Sequence, residues 1–232
     1  MKLLAIETSE TAGSVAALLD DKAVAQLDLP RAEGSAKTLA PAIQAVLAKS
    51  GWRSPEVELV AVTIGPGSFT GLRVGVTTAK VFAYCVQAEI LGIDTLETIA
   101  AGAPAEAGRV SVAVDAQRGQ VVTVTFIRDP DGSFLPVEPS RLVDVTRWLS
   151  GVPAGVFLCG PVLRKLRGRV PEGVSLLPEE YWSPNAVALG RLAWRQYAAG
   201  QRDDVWSLVP RYSRKSAAEE KWEVRYPRSA CP

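Results

Sequence analysis

The sequence predicts an α/β fold made of two lobes with the same plan. Three observations point there. An apolar run at 59–64 leads straight into a glycine-rich loop and then a helical pattern at 70–86. Strands and helices alternate through residues 1–101, and a similar programme restarts at 110. Between the two, residues 102–108 are rich in Gly, Ala and Pro and read as a connection between lobes.

The elements follow in order. A first strand at 3–8 carries the acid Glu7 near its end; Gly13 turns the chain, and 14–19 returns. Asp20-Asp21 turns it again into a strand at 23–29. Residues 35–49 place Leu39, Ile43, Val46 and Leu47 at helical spacing, with Ser35 as the expected N-cap and Gly51 as the stop. The strand 59–64, the helix 70–86, a strand at 90–93 and a helix at 95–101 complete the first unit. In the second, a strand at 110–114 runs into Asp115, Gly119 turns it, and 121–127 returns. Strands at 134–137 and 141–143 follow the turn at 129–132. Helices at 144–149 and 162–167 flank a strand at 155–159, and Pro184 precedes a longer helix at 185–199. We divide the chain into 1–103, a lobe carrying partner-binding helices, and 104–232, a second lobe and tail. Glu7 and Asp115 then hold equivalent places, which points to a duplicated fold with its ligand cleft between lobes. Coincidence between two acid-tipped hairpins is the alternative.

Composition narrows the chemistry. The 26 basic and 25 acidic residues nearly balance, so no global field points to nucleic acid or a membrane. Basic residues thicken at 164–169 and 211–215, which reads as solvated faces. No run approaches the roughly 18 apolar residues of a membrane span. The apolar start meets Glu7 too soon for a signal peptide. The 3 cysteines are widely spaced and read as free thiols of a cytosolic protein. Histidine is absent, which removes a His general base, a serine–histidine triad and a His-ligated metal.

The loop Gly65-Pro66-Gly67-Ser68-Phe69-Thr70-Gly71-Leu72-Arg73 is the most informative stretch. Gly65 and Gly67 permit unusual backbone angles, and Ser68 or Thr70 can cap the helix. With Arg73 these residues form a candidate anion or nucleotide site at a helix N-terminus. A tight turn that binds nothing is the alternative. Along the helix, Gly71, Gly75 and Ala79 recur every four residues, with Val74, Thr78 and Phe82 beside them. Such a small-residue stripe lets another helix approach closely, or packs on this chain's own sheet or first helix. Glu7 and Asp115 could hold magnesium carried by a nucleotide, or satisfy the amides of their own turns; the second is preferred. Lys37 and Arg73 could meet phosphate, a partner carboxylate or solvent.

Residues 65–75 closely resemble the signature of the TsaB (YeaZ) family. Leu4-Ala5-Ile6-Glu7-Thr8-Ser9 is similar to the family's first strand. Residues 114–121, 183–186 and 210–221 are similar to its second-lobe start, its lead into the last long helix and its tail. The matches span nearly the whole chain in the family's order. The resemblance implies two ribonuclease-H-like lobes of the actin, sugar-kinase and Hsp70 superfamily. It implies service in placing a threonylcarbamoyl group on the tRNA adenosine that follows the anticodon. It implies a heterodimer with the catalytic paralogue TsaD, joined by the ATPase TsaE, with tRNA met through the complex. Helices one and two would face the equivalent pair of TsaD, with Leu39, Ile43, Gly71, Val74, Gly75, Thr78, Ala79 and Phe82 at the interface. The same surface would support a homodimer when TsaD is absent.

The departures from the family's pattern favour a scaffold. Glu7 stands where aspartate is frequent, and Gln117 and Gln120 stand where Arg and Glu are frequent. TsaD holds its metal with paired histidines on its first helix; the corresponding helix here has none. The expectation is a cytoplasmic, non-catalytic subunit with no catalytic residue, no cofactor and no metal. The rival is an ATP-dependent phosphotransferase of the same superfamily. It would need a glycine pair for adenosine in the second lobe, where Gly160-Pro161 is a poor substitute. A metal-dependent peptidase conflicts with the missing histidines. In the tail, Tyr212, Arg214, Glu219 and Lys221 are expected to reach the partner, TsaE or tRNA, or to form local ion pairs. Trp206 and Trp222 are expected to pin it.

Overall fold

The computed structural model describes residues 1–30 and 34–214, with Trp222 and Arg225. The expected positions Glu219 and Lys221 lie outside the described residues. β1 (Lys2–Glu7), β2 (Ser14–Leu19) and β3 (Lys22–Asp28) form an antiparallel meander. β4 (Leu59–Gly65) and β5 (Glu89–Asp94) join in parallel on the other side of β1, giving the order β3-β2-β1-β4-β5. β1 and β4 read as unbroken apolar runs because both faces of the sheet are covered. The pleat sends Leu4 and Ile6 toward α1 (Ser35–Ser50) and α2 (Phe69–Val86). It sends Leu3 and Ala5 toward α6 (Ala186–Ala198).

Ser35 does not cap α1. Gly34 occupies the N-cap with φ 70°, and no side chain satisfies the first turn there. A left-handed entry of this kind is open to glycine, so Ser35 becomes the first helical residue. Gly51 ends the helix in the left-handed conformation, as expected. At α2, Ser68 rather than Thr70 is the cap, its Oγ accepting from the Gly71 amide at 3.2 Å.

The second sheet centres on β6 (Arg109–Asp115), antiparallel to β7 (Gln120–Arg128) and parallel to β10 (Phe157–Cys159). Its third strand is split. β8 (Phe134–Pro136) pairs with the end of β7, and β9 (Arg141–Asp144) pairs with its start. A fifth strand is reduced to one bridge between Leu158 and Leu176. α4 (Val145–Ser150) is capped by Asp144, and α5 (Leu163–Leu166) follows β10. Both sheets thus run as an antiparallel meander continued by parallel pairing. The lobes are ribonuclease-H-like, and the fold is that of the actin, sugar-kinase and Hsp70 superfamily.

The lobes are stitched together more than once. α3 (Thr95–Ala101) leaves the first sheet, yet Leu96, Ile99 and Ala100 belong to the core of the second lobe. The sequence cut at 103/104 falls just past it, but α6 crosses back and buries Leu189 and Ala193 against Leu3 and Ala5. Ser14 Oγ accepts from the Ala186 amide at 2.9 Å and fixes that return. From the end of α6 to Arg211 the chain runs along the first lobe: Leu208 is buried there, Lys80 Nζ donates to its carbonyl at 2.9 Å, and the Arg211 amide donates to Ile64 O. Leu208 anchors this stretch, while Trp206 lies exposed and edge-on to Tyr84 at 5.2 Å. Among the described residues no helix is long and apolar enough to cross a membrane.

The candidate functional site

Two places gather the candidate residues: a cleft between the lobes and the outer face of the α1–α2 pair. The cleft has a volume of about 550 Å³. Glu10, Gly67, Ser68 and Thr70 line it from the first lobe. Asp115, Gln117, Arg118 and Lys165 line it from the second, and Tyr212 to Arg214 lie along it from the tail.

The glycine loop is held from below by the end of β1. The Ser68 amide donates to Ser9 O at 2.6 Å, and Thr8 Oγ1 donates to Gly71 O at 2.9 Å. Gly67 is packed so closely on Ser9 that a Cβ would overlap the Ser9 carbonyl. Of the residues expected to bind an anion, Gly67, Ser68 and Thr70 reach the cleft. Gly65 and Arg73 do not line it. Gly65 lies behind the loop, with φ 123° and its α-carbon against the Arg211 carbonyl, leaving no room for a side chain. Arg73 stacks on Phe69 at 3.9 Å, and its Nε donates to the Tyr212 hydroxyl at 3.0 Å. Arg73 therefore fastens the tail to the loop.

The two strand-end acids serve their own turns. Glu7 Oε1 accepts from the Ser9 amide at 2.6 Å and the Ser9 hydroxyl at 2.5 Å. Asp115 Oδ1 accepts from the Gln117 amide at 2.8 Å, and Oδ2 pairs with Lys165 at 2.6 Å. Glu7 is fully buried, and burial pushes its carboxyl up to about 7 against the pull of the Ser9 hydrogen bonds. Its Oε2 has no partner among the described residues. Burial also raises the Glu10 carboxyl, opposed by the nearby Arg164 and Lys165. Glu10 and Lys165 escaped the sequence reading. Glu10 follows the strand-end motif directly and could have been marked. Lys165 lay within the basic run 164–169 that reads as a solvated face, because only the fold brings α5 to the cleft.

The expected partner interface needs correction. Gly71, Gly75 and Ala79 are buried and face inward, not outward. A Cβ on Gly71 would overlap the Thr8 carbonyl, and one on Gly75 would overlap Thr8 Oγ1. Gly71 and Gly75 are small because Thr8, just past the end of β1, presses against α2. Leu39 and Ile43 are buried in the same core, while Val74, Thr78 and Phe82 are half-buried at its margin. The outward face holds Thr77, Val81, Tyr84 and Cys85, with Val81 58% exposed. Between the helices runs a mostly apolar groove of about 670 Å³, lined by Ile43, Leu47, Trp52, Thr78, Val81 and Phe82.

Residues 31–155 match a family model described as "TsaD: tRNA N6-adenosine threonylcarbamoyltransferase". The chain is 32% identical over 95% of its length to the tRNA threonylcarbamoyladenosine biosynthesis protein TsaB of Escherichia coli, covering 98% of that protein. It is 30% identical over 96% of its length to the TsaB of Bacillus subtilis, again covering 98% of it. Among solved structures, YeaZ from Pseudomonas aeruginosa superposes with a TM-score of 0.79 at 27% identity, over 91% of this chain and 99% of that one. With sequence and fold matched along nearly their full length, the chain belongs to the TsaB (YeaZ) family of tRNA threonylcarbamoyladenosine biosynthesis proteins.

Proposed function

We propose that this chain is the non-catalytic partner of a TsaD paralogue, holding it in an active arrangement for threonylcarbamoylation of tRNA. The observation that carries this reading is the apolar groove between α1 and α2, whose rim offers Val81 and Phe82 for burial. Burial of that rim contributes on the order of 25 cal/mol per Å² before the entropic costs of association. A second helix pair of the same fold has the complementary shape, since ridges on one pair seat in grooves of the other. TsaE joins the assembled pair, tRNA is met through the complex, and a homodimer uses the same face when TsaD is absent.

The cleft supports the non-catalytic half of the reading. Asp115 is tied to Lys165, and Glu7 is fully buried on Ser9 and Thr63 and does not line the cleft. A phosphotransferase would need a carboxylate free to take a proton in that cleft, and the remaining acid there, Glu10, stands beside the cationic Arg164 and Lys165. The chain also carries no histidine with which to hold a metal as TsaD does.

The test mixes the purified chain with TsaD and measures the mass of what elutes. A one-to-one complex is expected. Val81→Glu, at an exposed site, should abolish it while the variant keeps its helical signal and melting temperature. A complex that survives Val81→Glu and Phe82→Asp alike would remove the groove as the docking face.

A further inference from the structure

A third cavity, sharing no lining residue with either place, lies in the second lobe beneath α4. It is about 190 Å³ in volume, the size of a small metabolite. Its floor is the face of the second sheet that carries Ser111, Thr123 and Thr125. Ser111 and Thr125 are direct cross-strand partners, and Thr123 is two residues from Thr125, so the three hydroxyls share one face. Hydroxyls on the core-facing side of a sheet are unusual, since this is where apolar residues belong.

The hydrogen bonding on this floor is directional. Trp148 Nε1 donates to Ser111 Oγ at 3.1 Å, and Thr123 Oγ1 donates to Val112 O at 2.8 Å. Thr123 has then used its proton. Ser111 is separated from Thr123 by 3.5 Å, a long contact that holds its own proton weakly. Ser111 can turn that proton to a ligand oxygen, and Thr125 lines the same space with a second hydroxyl.

The rim adds charge. Arg141, Arg147 and Glu138 stand there. Arg141 pairs with Glu138 at 3.1 Å, which leaves Arg147 without an ion pair among the described residues. Val143 adds an apolar side chain to the same sheet face, and Val152 and Pro153 complete the lining. One uncompensated guanidinium matches one negative charge, and the apolar lining matches a short aliphatic stem that inorganic phosphate lacks.

From this juxtaposition we infer that the second lobe holds a binding site for a small aliphatic carboxylate, seated between Arg147 and the hydroxyls of Ser111 and Thr125. The carboxylate accepts from the guanidinium and from both hydroxyls, and its stem packs on Val143 and Val152. The site is separate from the inter-lobe cleft and from the α1–α2 face.

The Trp148 indole N–H reports on the floor directly. The full chain, labelled with ¹⁵N, is titrated with propionate, propionamide and inorganic phosphate, and the indole resonance is assigned with Trp148→Phe. Propionate should shift it saturably. Propionamide should not shift it, and phosphate should bind at least about tenfold more weakly. Arg147→Ala, an exposed substitution, should weaken propionate at least about tenfold while the spectrum stays dispersed. Thr125→Val should weaken it less. No saturable shift with propionate would overturn the inference, as would equal responses to propionate and propionamide. Phosphate binding as tight as propionate would overturn the carboxylate assignment. An unchanged affinity in Arg147→Ala would remove the guanidinium from the site.

Discussion

The two lobes place an acid at the same point of the same plan and treat it in opposite ways. Glu7 ends β1, and Asp115 ends β6. Each accepts a hydrogen bond from the amide two residues on. There the likeness stops. Glu7 is fully buried with one oxygen unpartnered among the described residues, whereas Asp115 opens on the cleft and holds Lys165. The shared feature is the turn; the surroundings decide the charge. The surroundings differ because Glu7 is fully buried on Ser9 and Thr63, whereas Asp115 lines the inter-lobe cleft. The second lobe has a split third strand and a single bridge for a fifth.

The comparison breaks most severely at Gly75. Gly75→Arg drives a long side chain into Thr8, against the strand end that carries Glu7. The expected loss is about 3 kcal/mol or more, read by denaturant unfolding, so the variant fails by unfolding and not by losing a partner. A variant that stays as stable as the parent would mean that α2 does not press on Thr8.

Next comes the buried carboxyl. Glu7 has a folded value of about 7 against an ordinary 4.5, so the folded state binds the extra proton between those values. Stability therefore falls as pH rises from 4.5 through 7 and stays low above it. Glu7→Gln keeps the acceptor for Ser9 and removes the ionisation. Urea unfolding at pH 5 and pH 8 should show the parent losing on the order of 3 kcal/mol more than the variant across that interval. Equal losses would show that Glu7 ionises as freely as an exposed acid.

In the second lobe the strongest polar fixture is Arg128. It donates to the carbonyls of Ala103, Pro104, Ala107 and Gly132, and it stacks on Phe134 at 4.2 Å. It fastens the connection between lobes to the hairpin at 129–132. Arg128→Ala should cost about 2 kcal/mol, and Arg128→Lys should recover little, since one ammonium cannot reach every carbonyl. The smallest effect belongs to the open acid. Asp115→Asn loses an exposed pair with Lys165 and should change stability by less than about 1 kcal/mol. A loss on the order of 3 kcal/mol in Asp115→Asn would collapse the contrast between the lobes.

Local signals in the chain carried much of this architecture. The bounds expected for β2 and α3 agree with the structure, because each lies between turn residues or caps that punctuate it: Gly13 and Asp20, Asp94 and Gly102. Ser35 misled because its neighbour Gly34 could enter the helix with a positive φ, which no side-chain pattern reveals. The spacing of Gly71, Gly75 and Ala79 disclosed a close approach but not its partner. That partner, Thr8, lies 63 residues before Gly71, and periodicity does not read across such a distance. The destination of α6 was hidden for the same reason: its apolar face suits either lobe, and only the packed structure assigns it to Leu3 and Ala5. Within the cleft, the glycine loop was legible as a motif, while Lys165 reached it only through tertiary folding.

The central claim is that this chain supplies a docking surface and TsaD makes the bond. The most direct measurement is threonylcarbamoyl transfer to tRNA by each protein alone and by the two together with TsaE. The account predicts no transfer by this chain alone, transfer by the combination, and its loss when Val81→Glu replaces the parent. Transfer by this chain without TsaD would contradict it.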